Sequence, residues 1–153
     1  MSAETRLAEL EMELPPAPAA LGIYRPVVVL GQTAYTSGHL PLNPDGSLIT
    51  GRVGTDLDQE AGHTAARKAG LAILVSLQAA LGTLDRVRRV IKVVGLVNAT
   101  ADFTEHPAVI NGCSELLSEV FGPAAGIGAR SALGVASLPK NVPVEIEAIF
   151  EVD

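Results

Sequence analysis

Residues 87–99, VRRVIKVVGLVNA, limit the folds open to this chain more than any other stretch. Over the second half of the run, apolar residues occupy both alternating positions. A strand with one wet face would be polar at every second residue, so this one must be covered on both sides. A long helix precedes it over residues 58–81, with Asp56 or Asp58 placed to cap its start and Gly82 its end. A second helix follows over residues 104–121. Its apolar stripe is Val109, Ile110, Cys113, Leu116, Leu117 and Val120, with Asn111, Glu115 and Ser118 on the other side. If both helices lie on one face of the sheet, something else must cover the far side of residues 93–97. The simplest cover is another copy of the chain.

The remaining elements complete an α+β plan. Leu7 and Leu10 give residues 2–13 the spacing of a short amphipathic helix, and LPPAPAALG (14–22) is an extended lead-in that its prolines keep out of regular structure. YRPVVVL and TAYTSG, parted by Gly31 and Gln32, form a hairpin; Asp45-Gly46 marks a reversal, with a short strand near residues 47–50. After the breaker GPAAGIG come two last strands, 129–138 and VPVEIEAIFEV. The expected fold is a mixed sheet with two main helices on one face and a short N-terminal helix. Residues 1–17 are an extension and 18–153 a single domain.

Composition narrows the function. The net charge of −6 opposes a general nucleic-acid binder. One cysteine, Cys113, allows no disulfide framework and no zinc cluster, and on the helix stripe it is a small core residue. No apolar run is long enough to span a membrane and the N-terminus is no secretory signal, so a soluble cytoplasmic protein is expected. His39, His63 and His106 have no metal-ligand spacing. The basic cluster of Arg86, Arg88, Arg89 and Lys92 is a solvated edge.

Two charges in the last strands stand out. Arg130 shares a strand face with Ala132, Gly134 and Ala136, small residues that leave open space beside a guanidinium. From spacing alone an ion pair is the plainer reading, but a planar charged fork beside a cavity also suits two-point capture of a carboxylate. In the final strand Val144, Ile146, Ala148 and Phe150 point one way, and Glu145, Glu147 and Glu151 the other.

Around GARSALGVASLPKNVPVEIEA the chain resembles the RidA family (YjgF/YER057c/UK114), the reactive-intermediate deaminases. The likeness runs from about Pro18 to Val152 through APAALGIY, LGQTAYTSGHLPLNPDG, VIN, SLPKNV and VEIEAIF. It implies a chorismate-mutase-like fold, a homotrimer with clefts between subunits, and no metal or cofactor. The activity it implies is hydrolysis of enamines and imines such as 2-aminoacrylate to 2-keto acids and ammonia. Carried over residue by residue, it makes Arg130 the clamp for the substrate carboxylate and Glu145 the acid that positions water. Tyr24, Ser37, Gly38 and Asn111 become substrate-binding residues. The chain departs from the family pattern at Gly128, where proline is usual, at Ala132, where many deaminases carry cysteine, and at SGH and GIY in place of SGQ and GPY. With its N-terminal extension it is similar to a longer branch of the family. The same clamp would serve a non-catalytic trimer that binds small carboxylates; endoribonuclease activity, sometimes attributed to the family, fits the acidic charge poorly.

Overall fold

A computed structural model describes residues 1–153. Its five-stranded mixed sheet has the order β1-β2-β5-β3-β4, where β1 is Val27–Leu30, β2 Thr33–Thr36, β3 Val87–Asn98, β4 Ala129–Val135 and β5 Val144–Val152. Only β3 and β4 run parallel, because the helix α3 (His106–Phe121) carries the chain back between them. β1 and β2 form the expected hairpin around Gly31, whose φ of 58° suits a residue without a Cβ.

The long helix α2 (Gln59–Leu81) begins and ends where its caps predict. The Asp58 carboxylate accepts from the Ala61 N–H at 2.8 Å, and Gly82, at φ 85°, donates back to the Gln78 carbonyl. Both main helices lie on one face of the sheet, against Val90, Val93 and Val97 of β3 and Val144, Ile146, Ala148 and Phe150 of β5. Every residue of the α3 stripe is buried. With few aromatics, the core relies on close helix contact. A Cβ at Gly112 would collide with the His63 carbonyl oxygen, and one at Gly70 would press on Leu116 and Cys113 Sγ. Gly112→Ala should therefore push α2 and α3 apart and cost about 2–3 kcal/mol in urea unfolding; an unchanged midpoint would contradict this packing.

The N-terminal helix α1 (Ala3–Glu9) buries Leu7 in the same core. Its Glu4 carboxylate accepts from Gln78 Nε2, Thr83 Oγ1 and the Leu84 N–H, the last at 2.7 Å, tying α1 to the end of α2.

Several boundaries differ from expectation: α1 ends at Glu9 rather than near residue 13, and β1 begins at Val27 rather than Tyr24, after Pro26, which has no N–H to donate. GPAAGIG contains a helical turn, α4 (Pro123–Gly126), besides breaking the chain. Gly122 turns the chain at φ 82°, Pro123 enters as a first helical residue at no hydrogen-bond cost, and Gly126 packs against the Leu117 carbonyl where no Cβ would fit. Strand β4 stops at Val135 rather than residue 138, because its partner β3 ends at Asn98, the residue paired with Val135. The reversal near Asp45 is as expected, although only a single bridge, Leu42 to Leu48, stands for the short strand.

The sheet face away from the helices is open within one chain. Val28, Leu30, Tyr35 and Leu133 are exposed there, Leu30 by 73%, while Val94 and Leu96 are half-buried.

Candidate active site

Register decides where the two charges point. Arg130 pairs with Val93, a core residue, so its side chain lies on the helix face. Glu145 pairs with Leu96 and alternates with buried Val144 and Ile146, so it lies on the open face. Within one chain the two stand on opposite sides of the sheet with β3 between them. The candidate residues therefore fall into two clusters.

The first cluster surrounds Arg130. Its Nη1 donates to Asn111 Oδ1 at 2.7 Å and to Ser114 Oγ at 3.2 Å, both on α3. Nε and Nη2 make no bond within the chain, and no carboxylate lies in ion-pair range. The side chain opens on a cavity of about 320 Å³ bordered by Ser118, Gly126, Ile127 and Gly128. The room beside Arg130 is on this side and not, as the strand pattern suggests, next to Gly134. Directly over Gly134 lies His106, whose Nε2 is 2.5 Å from where a Cβ would stand, and the separate cavity of about 500 Å³ that these two border is not lined by Arg130. Ser114 was not among the expected site residues, although its i, i+3 spacing from Asn111 on one helix face could have indicated it.

Gly128 has its own packing role. A Cβ there would meet the Val90 carbonyl oxygen at 2.6 Å, so the backbone runs close beneath β3. Ala132 carries no thiol, and Cys113 does not replace one. Burial pushes the Cys113 thiol up to about 12, only partly opposed by the Arg130 charge, so it remains protonated at neutral pH.

The second cluster gathers Tyr24, Ser37, Gly38 and Glu145. A Cβ at Gly38 would stand 2.7 Å from the Glu145 carboxyl carbon, so the missing side chain is what lets the acid lie there. The Gly38 N–H has no partner in the chain. Ser37 Oγ donates to the Arg25 carbonyl at 2.6 Å and keeps lone pairs to accept, while Tyr24 Oη accepts from the Leu21 N–H at 3.0 Å. Partial burial, and after it the like charge of Glu147, hold the Glu145 carboxyl above the usual carboxylate range.

His39 adjoins this cluster, yet both its ring nitrogens are occupied. Nδ1 donates to the Ser37 carbonyl at 2.7 Å, which leaves Nε2 to accept from Ser76 Oγ at 2.8 Å. Burial lowers the His39 pKa, partly offset by that carbonyl. Ser76 is buried within α2 and borders no cavity next to the clusters, so this Ser-His pair ties α2 to the sheet. No three His, Cys, Asp or Glu side chains are grouped to hold a metal ion, and no helix is long and apolar enough to cross a membrane.

This is an α+β protein with both main helices on one face of a mixed sheet, a guanidinium bound by neutral acceptors, and a half-buried acid against a strand-end glycine. Residues 4–146 match the family described as "YjgF/chorismate mutase-like, putative endoribonuclease", and the chain belongs to that family. It is 42% identical over 147 residues to Protein TCP17 of Trypanosoma cruzi, covering 96% of this chain and 92% of that one. It is 35% identical over 140 residues to the 2-iminobutanoate/2-iminopropanoate deaminase of Escherichia coli K12, covering 87% and 90%. The crystal structure of Atu1372 from Agrobacterium tumefaciens superposes with a TM-score of 0.89 at 42% identity, over 99% of this chain and 94% of that one. The family thus includes proteins named as imine deaminases, and the chorismate-mutase-like fold is that of this chain.

Proposed function

We propose that the chain hydrolyses reactive imines and enamines of the 2-aminoacrylate kind to 2-keto acids and ammonia, at sites shared between subunits of a homotrimer. The observation that carries this reading is Arg130. A guanidinium oriented through Nη1 by two neutral acceptors keeps its full charge and leaves Nε and Nη2 for a carboxylate. The opposed faces of the two clusters favour a shared site, since Arg130 of one copy meets Glu145 only when a neighbour supplies it. The open apolar sheet face offers the surface on which copies would join.

The chemistry then needs only these groups. An enamine first takes a proton from solvent at its terminal carbon and becomes the iminium ion. Water held by ionised Glu145 adds to the imine carbon, the C=N π pair moves to nitrogen, and the carboxylate accepts the proton that water loses. Glu145 returns that proton to nitrogen, the C–N bond breaks as a hydroxyl lone pair closes the keto group, and the hydroxyl proton leaves with ammonia as ammonium. The Arg130 fork fixes the carbon against the water throughout.

Trapping by semicarbazide during amino-acid oxidase turnover tests the proposal. Catalytic amounts of the protein should divert imine from semicarbazone to keto acid, and imine lifetimes unchanged even by stoichiometric protein would overturn it. Glu145→Gln should abolish the rate while retaining 2-ketobutyrate binding. A pure binding protein would have no rate to lose.

The Glu145 environment adds a pH prediction. Its carboxyl must ionise to act, so kcat/KM should rise with pH along a limb above the ordinary glutamate value of about 4.3. Glu147→Gln removes the like charge but not the burial, so the limb should move down without reaching that value. Stability has the opposite sign. A carboxyl that holds its proton more tightly folded than unfolded loses stability as pH rises between the two pKa values. Glu145→Gln should therefore melt higher than the native chain at pH 7 and show no gain at pH 4.

A further inference from the structure

The proline-alanine lead-in is largely exposed, yet it borders a cavity. Pro16, Ala17, Pro18 and Leu21 line a cavity of about 300 Å³ together with Leu40, Leu42 and Leu48. Tyr24, Ser37, Gly38 and His39 line it as well. Apart from the Gly38 N–H, the polar groups of these four residues have partners within the chain: Tyr24 Oη with the Leu21 N–H, Ser37 Oγ with the Arg25 carbonyl, and both His39 side-chain nitrogens. No charged side chain borders the space. It is suited to hydrocarbon, and its lining includes Gly38, against which the Glu145 carboxyl rests.

That position matters because the water held by Glu145 attacks the carbon from which a substrate's side chain extends. We infer that this cavity receives that side chain, and that the protein prefers 2-imino acids with a branched aliphatic side chain of isobutyl size over those with a methyl group. The inference rests on the deaminase reading for its chemistry but not for its geometry. One water occupies about 30 Å³ of liquid, so a methyl group would leave most of the cavity unfilled, whereas an isobutyl group would bury itself against the three leucines. Each added methylene that leaves water should raise kcat/KM about fourfold, and three added carbons should raise it by tens of fold. The lead-in supplies part of the lining, so the preference depends on a segment that sequence pattern shows only as irregular.

The test compares imines generated by amino-acid oxidase from alanine, 2-aminobutyrate, norvaline and leucine in the semicarbazide assay. The expected result is kcat/KM rising along the series, by tens of fold from alanine to leucine. Leu48→Trp, which narrows the cavity, should reduce the leucine-derived rate tenfold or more with little change for alanine. Leu48→Ala, which enlarges it, should weaken the leucine preference without reversing it. A flat series, or one that falls with size, overturns the inference. Calorimetric binding of pyruvate and 4-methyl-2-oxopentanoate separates this inference from the deaminase reading. Tighter binding of the branched acid, lost in Leu48→Trp, would sustain the cavity's role even if no imine were turned over. Equal affinities, or no binding of either acid, would overturn it whatever the catalytic result.

Discussion

Co-refolding equal amounts of Arg130→Ala and Glu145→Gln protein should restore activity that neither variant has alone. The expected recovery follows from geometry. Arg130 projects between β4 and α3 on the helix face, while Glu145 projects from β5 on the open face beside Gly38. A site that needs both must take one from each of two neighbours in a closed ring. In a randomly mixed cyclic trimer, half the subunits carry an intact arginine and half an intact glutamate. About one interface in four then pairs the two intact residues, giving about a quarter of wild-type activity. Recovery requires subunit exchange, so simple mixing of folded trimers should lag behind co-refolding. If both residues served a site within one chain, no mixture would regain anything. A null result with both variants folded and trimeric would thus remove the shared site, and with it the proposed pairing of clamp and acid.

The same geometry shows which parts of the molecule local pattern could reach. Elements whose boundaries are set by their own residues were legible: α2 from Asp58 to Gly82, the hairpin turning at Gly31, and the buried stripe of α3. The end of β4 was not, because it is set by where β3 stops and not by any residue of β4. The site follows the same division. Alternation in β5 put Glu145 on the face opposite Ile146, and that holds. The strand face of Arg130 was legible too, but its surroundings were not. His106 reaches Gly134 from the start of α3, and Ser114 reaches Arg130 from the middle of it, contacts that depend on how helix and sheet dock. That Arg130 and Glu145 lie on opposite faces needed the register through β3, which links two strands with no local sequence relation.

Arg130→Lys should lose most of the activity although it conserves charge. In the native chain Nη1 is fixed by Asn111 Oδ1 and Ser114 Oγ, and the remaining two nitrogens of the rigid plane are free to face a carboxylate side by side. An ammonium placed near Asn111 and Ser114 would spend its donors on those oxygens and could offer the substrate one contact at best. Charged hydrogen bonds contribute about 1.5–3 kcal/mol each. Losing one of two predicts a fall in kcat/KM of about 10–100-fold for Arg130→Lys, and losing both about 10²–10⁴-fold for Arg130→Ala. Asn111→Ala divides orientation from charge. It keeps the guanidinium but removes its shorter anchor, so KM for the imine should rise several-fold while the protein melts as a folded species. The sequence Ala, then Lys, then the Asn111 variant, from largest loss to smallest, is what a two-point clamp requires. Wild-type kcat/KM in Arg130→Lys would mean that charge alone suffices, and the arrangement of α3 around Arg130 would then serve packing and not recognition.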